Sequence, residues 1–344
     1  MATLTTMHFL LLRTFTVTAI VFTVAANSVF SQTPAPTPNS ELTPAIKLVG
    51  EGESKKAVDL LKKAVKKNKA DGEAWYYLGI AYLQVSEFKK ASEAFQKAIE
   101  VRPDLAAPAH AGYAYALVLR NRLDSATGEA NKALSIDPKN IEALYTLAIV
   151  DLRKGAKDEA LKRADALIAL KPDFAAAYLL KSQALVSYTG GVLYPSADSR
   201  DSRKLKYSAA AEALERYLQL EKDPRAAQPW KEQLQTLKFF LGDRSITSDI
   251  YIGREVTTKA RVLAKPEPIY TERARSEQVE GTIVLRCVFA SDGTVKHILV
   301  IEALPAGLTE RAIAAAKQIK FIPATRDGKP VSMWMQLEYN FNLF

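Results

Sequence analysis

The 344-residue sequence holds a single cysteine and only three histidines. Cys287 alone closes no intramolecular disulfide, builds no zinc site and ligates no cluster. His8, His110 and His297 are too few and too scattered for a multi-histidine metal centre. No cofactor is therefore expected. Concentrated charge is also lacking. The formal net charge is +9, but the excess is spread along the chain, with no basic stripe interleaved with aromatics of the kind a nucleic-acid module carries. A solvated basic surface accounts for it, and no nucleic-acid partner is expected. A mean hydropathy of -0.08 excludes a polytopic membrane protein. With 48% hydrophobic and 25% charged residues, the chain is neither mainly disordered nor collagen-like. Its length exceeds one core of about 100–200 residues, so two domains are expected.

Residues 1–13 contain no acid and one Arg, and Thr14 to Ala26 is uncharged and mostly apolar. Val29-Phe30-Ser31 places small residues where a signal peptidase reads them, so residues 1–31 are expected to be a signal peptide cleaved after Ser31. The alternative is an uncleaved anchor, since Thr14–Phe30 lies at the lower edge of a bilayer-spanning length of about 17–25 residues. Membrane contact follows only if this segment is retained. No Cys follows the run, so no lipoprotein anchor is expected. Residues 32–44, with Thr33-Pro-Ala-Pro-Thr-Pro-Asn39, read as a Pro-rich linker.

A repeat fills residues 45–241. Ala57, Ala91, Ala126 and Ala160 are separated by 34, 35 and 34 residues, each followed by small or apolar side chains four and seven positions on. Pro103, Pro138 and Pro172 lie 12 residues after the last three alanines, where a proline stops a helix without harming it. Trp75, Leu78, Gly79 and Tyr82 reproduce W-x2-L-G-x2-Y. Period and motif resemble the tetratricopeptide repeat, which stacks helix pairs into an α-solenoid. Tyr188 to about Lys206 reads as an inserted loop, Tyr207–Leu220 as the late second helix of the last unit, and Trp230–Leu241 as a closing helix. The resemblance places Tyr76, Ile80, Leu83, Tyr115, Val118, Tyr145, Ile149 and Arg153 along the groove. They depart from the Lys and Asn of the family's carboxylate-binding variant. Such a groove suits an apolar peptide or another part of the same chain, while packing between repeats would use the same residues.

After a linker over 242–262 the periodicity changes. Thr271 can cap a helix from Glu272 to Gln278. In Gly281–Ala290, Ile283, Leu285, Cys287 and Phe289 alternate against Thr282, Val284, Arg286 and Val288, as in a strand. Asp292-Gly293 turns the chain into a second strand over Thr294–Ala303. Leu308–Lys320 reads as a helix and Val331–Leu343 as a long third strand. The residues Pro268-Ile-Tyr270, Ala274, Val279-Glu-Gly281, Val284–Phe289, Ala312, Ala316 and Phe321-Ile-Pro323-Ala324 resemble the C-terminal domain of TonB, the energy transducer of Gram-negative envelopes. Thr271 departs from the Pro of many members. The expected fold is thus mainly α, a solenoid followed at 263–344 by a small α+β domain of two helices on a three-stranded antiparallel sheet.

The resemblance also implies that an extended segment of an outer-membrane transporter adds to the last strand, here Val331, Met333, Trp334, Met335, Gln336, Leu337, Glu338 and Tyr339. Expected partners are proteins or peptides, with TonB-dependent outer-membrane transporters among them. The function expected is a periplasmic, non-enzymatic interaction module. Its alternatives are a membrane-anchored energy transducer and an assembly scaffold whose TonB-like domain is only structural. Catalysis is not expected. Ser86-Glu-Phe-Lys89 satisfies S-x-x-K by letter but falls on a turn between helices, and Cys287 reads as a buried thiol rather than a partner of His297.

Overall fold

The computed structural model describes residues 41–189, 197–242 and 250–343. The expected signal peptide and residues 32–40 of the Pro-rich linker lie outside them, and the linker's last two residues, Thr43 and Pro44, already belong to a helix. Among the described residues, eleven α-helices build the first domain: α1 (Thr43–Gly50), α2 (Ser54–Lys67), α3 (Gly72–Gln84), α4 (Phe88–Val101), α5 (Ala106–Leu119), α6 (Leu123–Ile136), α7 (Ile141–Arg153), α8 (Lys157–Leu170), α9 (Ala175–Ser187), α10 (Ala197–Leu220) and α11 (Pro224–Leu241). Asp71 and Asn140 accept the amides of Ala74 and Ala143, each 2.9 Å away, and so cap α3 and α7. The repeat alanines Ala57, Ala91, Ala126 and Ala160 are buried where successive helices meet. Only small side chains let the antiparallel backbones approach so closely. Among the described residues no helix is long and apolar enough to cross a membrane.

The inserted loop is shorter than expected. Helix α10 begins at Ala197, ten residues before Tyr207, and residues 190–196 lie outside the described residues. The polar run Asp198-Ser-Arg-Asp-Ser-Arg203 carries turn-favouring residues, yet it continues the helix whose apolar face begins at Tyr207.

The second domain contains β1 (Ile250–Tyr251), β2 (Arg261–Ala264), α12 (Glu272–Ser276), β3 (Gly281–Phe289), β4 (Val295–Glu302), α13 (Leu308–Lys317), β5 (Lys320–Ile322), β6 (Ala324–Arg326) and β7 (Lys329–Phe341). Sheet order is β1-β7-β3-β4, with β6 also on β7, while β2 and β5 form a separate ribbon. Strands β3, β4 and β7 are antiparallel neighbours, and β7 matches β3 without a shift from Gly281↔Phe341 to Phe289↔Met333. The stretch 242–262, expected as a linker, supplies β1, which pairs in parallel with Ser332–Met333, and the start of β2.

One face of the sheet packs its odd-numbered residues, Ile283, Leu285, Cys287, Phe289, Leu337 and Tyr339, against α12 and α13. Its other face covers the end of the solenoid. Val284, Leu299 and Ile301 join Leu179, Tyr207, Leu214 and Leu237 in one buried cluster. Helix α11 therefore does not close the array alone; the sheet completes the closure. Arg286 is 3% exposed in this contact and donates to the Tyr207 hydroxyl at 2.5 Å and the Thr189 carbonyl at 2.6 Å.

Candidate functional site

The positions expected to line the solenoid groove are inaccessible. Tyr76, Ile80, Leu83, Tyr115, Val118, Tyr145 and Ile149 are all buried, none more than 4% exposed. Aromatic contacts run within and between repeats: Tyr76 meets Phe95 of its own unit at 5.9 Å, while Tyr115 meets Tyr145 at 6.1 Å and Tyr145 meets Phe174 at 5.6 Å across units, between ring centroids. These side chains are interhelical core rather than a waiting surface. Burial accordingly pushes the Tyr115 and Tyr145 hydroxyls well above the usual tyrosine range. Arg153 is partly buried, donating to the Val118 carbonyl at 2.8 Å and to Asn121.

The turns joining α3 to α4 and α5 to α6 are met by the chain's own second domain. Arg273 on α12 stacks its guanidinium 4.6 Å over the ring of Phe88. Asn121 donates to the Gln278 carbonyl at 2.7 Å, and Arg122 donates to the Gln278 side chain at 2.9 Å. Thr271 holds α12 in place twice over: its hydroxyl accepts the Ala274 amide at 3.0 Å and donates to the Ala306 carbonyl at 2.7 Å. The departure from proline at this position therefore supplies a cap and a tie to the approach of α13.

The expected binding strand is only partly open. Val331 pairs with Ala324 of β6, and Met333 with Tyr251 of β1. Met333, Leu337 and Tyr339 are buried side chains, and Met335 packs against the same core. Trp334, expected to be adhesive if exposed, lies 4.7 Å from Phe240 and 6.1 Å from Phe239 of α11. Among the described residues, no strand pairs with the edge of β7 facing away from β3 beyond Met333. The Glu338 carbonyl there accepts from Lys265 Nζ at 2.7 Å. By the two-residue period of a strand, the main-chain groups of Trp334, Gln336 and Asn340 face the same way. The opposite edge of the sheet is occupied. Gln233 of α11 mimics a strand with its side-chain amide, donating to the Ile298 carbonyl at 3.2 Å and accepting the Val300 amide at 3.1 Å.

Residues 266–343 match the family model for the Gram-negative bacterial TonB protein C-terminal, and 72–105 and 117–184 match tetratricopeptide repeat models. The chain carries tetratricopeptide repeats and a TonB C-terminal domain. Protein TonB of Klebsiella pneumoniae is 26% identical over 80 residues, 23% of this chain and 33% of that protein. BBSome complex member BBS4 of Bos taurus is 30% identical over 112 residues, 32% of this chain and 21% of that protein. The chain thus spans at most 33% of the length of these two relatives. Among solved structures, PilW, a type IV pilus biogenesis factor, is 20% identical with a TM-score of 0.43, covering 58% of this chain and 94% of that one. YrrB, a tetratricopeptide-repeat protein with an unusual peptide-binding site, is 20% identical with a TM-score of 0.37, covering 62% and 99%. The two domain types together support a protein-interaction module, and the TonB-like domain relates the chain to the Gram-negative envelope.

The remaining polar residues singled out by sequence do not converge. Ser86 sits on the turn ahead of α4 with φ 63°. Cys287 of the TonB-like domain is buried in its core, and burial pushes its thiol up. His297 instead stacks on Phe239 at 3.5 Å. His110 Nδ1 lies 2.7 Å from Glu129.

Glu310, in the first turn of α13, had no sequence signal. Burial raises its pKa to about 7 from an ordinary 4.5, opposed only by its own backbone amide. Below about pH 4.5 the carboxyl is protonated whether the chain is folded or not. Between 4.5 and about 7 the unfolded chain releases a proton that the folded one keeps, so stability falls as pH rises. Glu310→Gln should therefore stabilise by up to about 2–3 kcal/mol above neutral pH and by little in acid. Urea melts of both proteins across this range check it; a gain independent of pH would refute the burial account.

Proposed function

We propose that this chain is a periplasmic, non-enzymatic interaction protein. Its TonB-like domain captures an extended segment of an outer-membrane transporter by adding it to β7 between Trp334 and Phe341. The observation that carries this reading is the difference between the two sheet edges. The edge of β4 is already satisfied by Gln233, whereas the far edge of β7 beyond Met333 meets no strand among the described residues and bonds one carbonyl to an exposed lysine. Unpaired main-chain groups of this kind are a template for another strand, with affinity coming from backbone bonds. The docked solenoid holds that edge at a fixed position. Periplasmic placement rests on the expected cleavage after Ser31.

Glu338 is the discriminating position, because its side chain is exposed and its main chain faces outward. Glu338→Ala keeps every N–H and should leave capture within a few-fold of wild type. Glu338→Pro removes the outward N–H while leaving the β3 ladder intact, and should reduce capture by about tenfold or more. Pull-down of solubilised outer-membrane transporters, with circular dichroism to show the variant folded, reads this out. A folded proline variant that captures the same transporter as wild type would sink strand addition. Recovery of residues 1–31 in the washed inner membrane would instead promote the anchored energy-transducer reading.

A further inference from the structure

A cavity of about 760 Å³ lies between the solenoid and the TonB-like domain. This is within the range of about 300–1,000 Å³ typical of small-ligand sites. Val118, Leu152 and Arg153 line it from the solenoid, and Leu304, Glu310 and Ile313 from the TonB-like domain. Its lining carries charges of both signs, Arg153 from the solenoid and Glu310 from the TonB-like domain, each without an ion-pair partner among the described residues. Arg153 bonds only neutral acceptors, the Val118 carbonyl and Asn121, and no carboxylate lies within 4.0 Å of it among the described residues. Burial draws its pKa down to about 10 with no acid to offset the shift. Glu310 has no cation within the same distance among the described residues and only its own backbone amide to bond. Arg273 of α12, whose Nε is buried without a hydrogen-bond partner among the described residues, also lines the cavity from the TonB-like domain and feels the charge of Glu277. The other charged groups nearby are engaged or open to water: Lys157 faces Glu302 at 3.8 Å, Glu280 accepts the Leu343 amide at 2.7 Å, and Glu232 and Lys317 are exposed.

Partly buried charges are normally paired, and both of these line a space large enough for a ligand. An anion alone would leave Glu310 facing it, and a cation alone would leave the guanidiniums unanswered. A ligand bearing both charges answers both groups, while Leu152, Leu304 and Ile313 supply apolar contact. We propose that the cavity binds a short free-ended peptide with small aliphatic side chains, its carboxylate at Arg153 and Arg273 and its amino group at Glu310. A single amino acid shares that chemistry but would fill little of the volume. This site is independent of strand capture, since no residue of β7 lines it.

The test is calorimetric titration of the full chain with alanine, tri-alanine, N-acetyl-tri-alanine and tri-alanine amide. Tri-alanine should bind, and either blocked form should bind about tenfold or more weakly. Glu310→Gln should abolish the penalty for acetylation while keeping that for amidation; Arg153→Gln should do the reverse. The crossed pattern separates ligand contact from a general loss of folding. Equal binding of free and blocked peptides, or no binding of tri-alanine at millimolar concentration, overturns the proposal. Alanine binding as tightly as tri-alanine overturns the peptide assignment. Because Glu338→Pro leaves the cavity intact, a failure here and a failure of strand capture are told apart by which ligand is lost.

Discussion

Phe95→Ala is expected to cost about 3–5 kcal/mol. The ring is fully buried and lies between two glycines from successive repeats. A Cβ built on Gly79 would stand 2.7 Å from the ring, and one on Gly112 would stand 2.6 Å from it. Both distances are too short to tolerate without movement, and Tyr76 at 5.9 Å restricts where the ring can go. Gly79→Leu should therefore overpack by about 1–3 kcal/mol or more, and Gly112→Ala should also destabilise. Gly79 meets the ring within its own repeat; Gly112 presses the same ring from the next. Coupling follows. In the Phe95→Ala background, Gly79→Ala and Gly112→Ala should become nearly neutral or favourable, giving a non-additive cycle in urea denaturation. Additive losses would mean that the ring is not what the glycines accommodate.

The second large effect is expected at Arg286. Removing its guanidinium leaves the Thr189 carbonyl and the Tyr207 hydroxyl without a donor inside the domain contact, at about 1–3 kcal/mol for each orphaned group. Arg286→Met keeps much of the apolar stem and isolates this loss. Arg286→Lys keeps the charge but not the planar fork that reaches both acceptors, so it should rescue only in part. The effect should appear as loosened docking: thermal unfolding that is cooperative in wild type should separate into a solenoid transition and a TonB-like transition. An unshifted single transition in Arg286→Met would show that the apolar cluster around Val284 and Ile301 holds the domains without help.

Much of this architecture was legible because local physics repeats itself. The alanines at each helix contact recur with the repeat, since every unit solves the same close-approach problem. The three main strands of the TonB-like domain announce themselves by alternation and by Asp292-Gly293. Strands β1 and β5 did not, being two or three residues long and defined by distant partners; β6, equally short, is defined by its pairing across Asp327-Gly328 with the start of β7. Arg286 looked like the solvent side of an amphipathic strand. A clue was nevertheless present: Val284 and Val288 make β3 apolar on both faces, which fits a strand covered on both sides better than one with a wet face. Glu310 and Lys265 were unreadable, because a carboxyl's isolation and an amine's reach toward Glu338 depend on segments far away in the chain. The family pattern gives the groove positions a place along the helix and not a depth, and here that depth is core for all but Arg153.

The sheet's place at the end of the repeat array also limits how the molecule can be divided. A fragment ending at Leu241 would bare the patch that Val284, Leu299 and Ile301 now cover. A fragment starting at Leu263 would lose β1 from β7, expose the other side of the same patch, and strip Gln233 from β4. Each half would then present an adhesive apolar surface, and the second would also present a free strand edge. Preparations of the isolated TonB-like region should self-associate where the intact chain does not. Shuffling this domain onto other carriers would require replacing its outward valines together with the arginine between them.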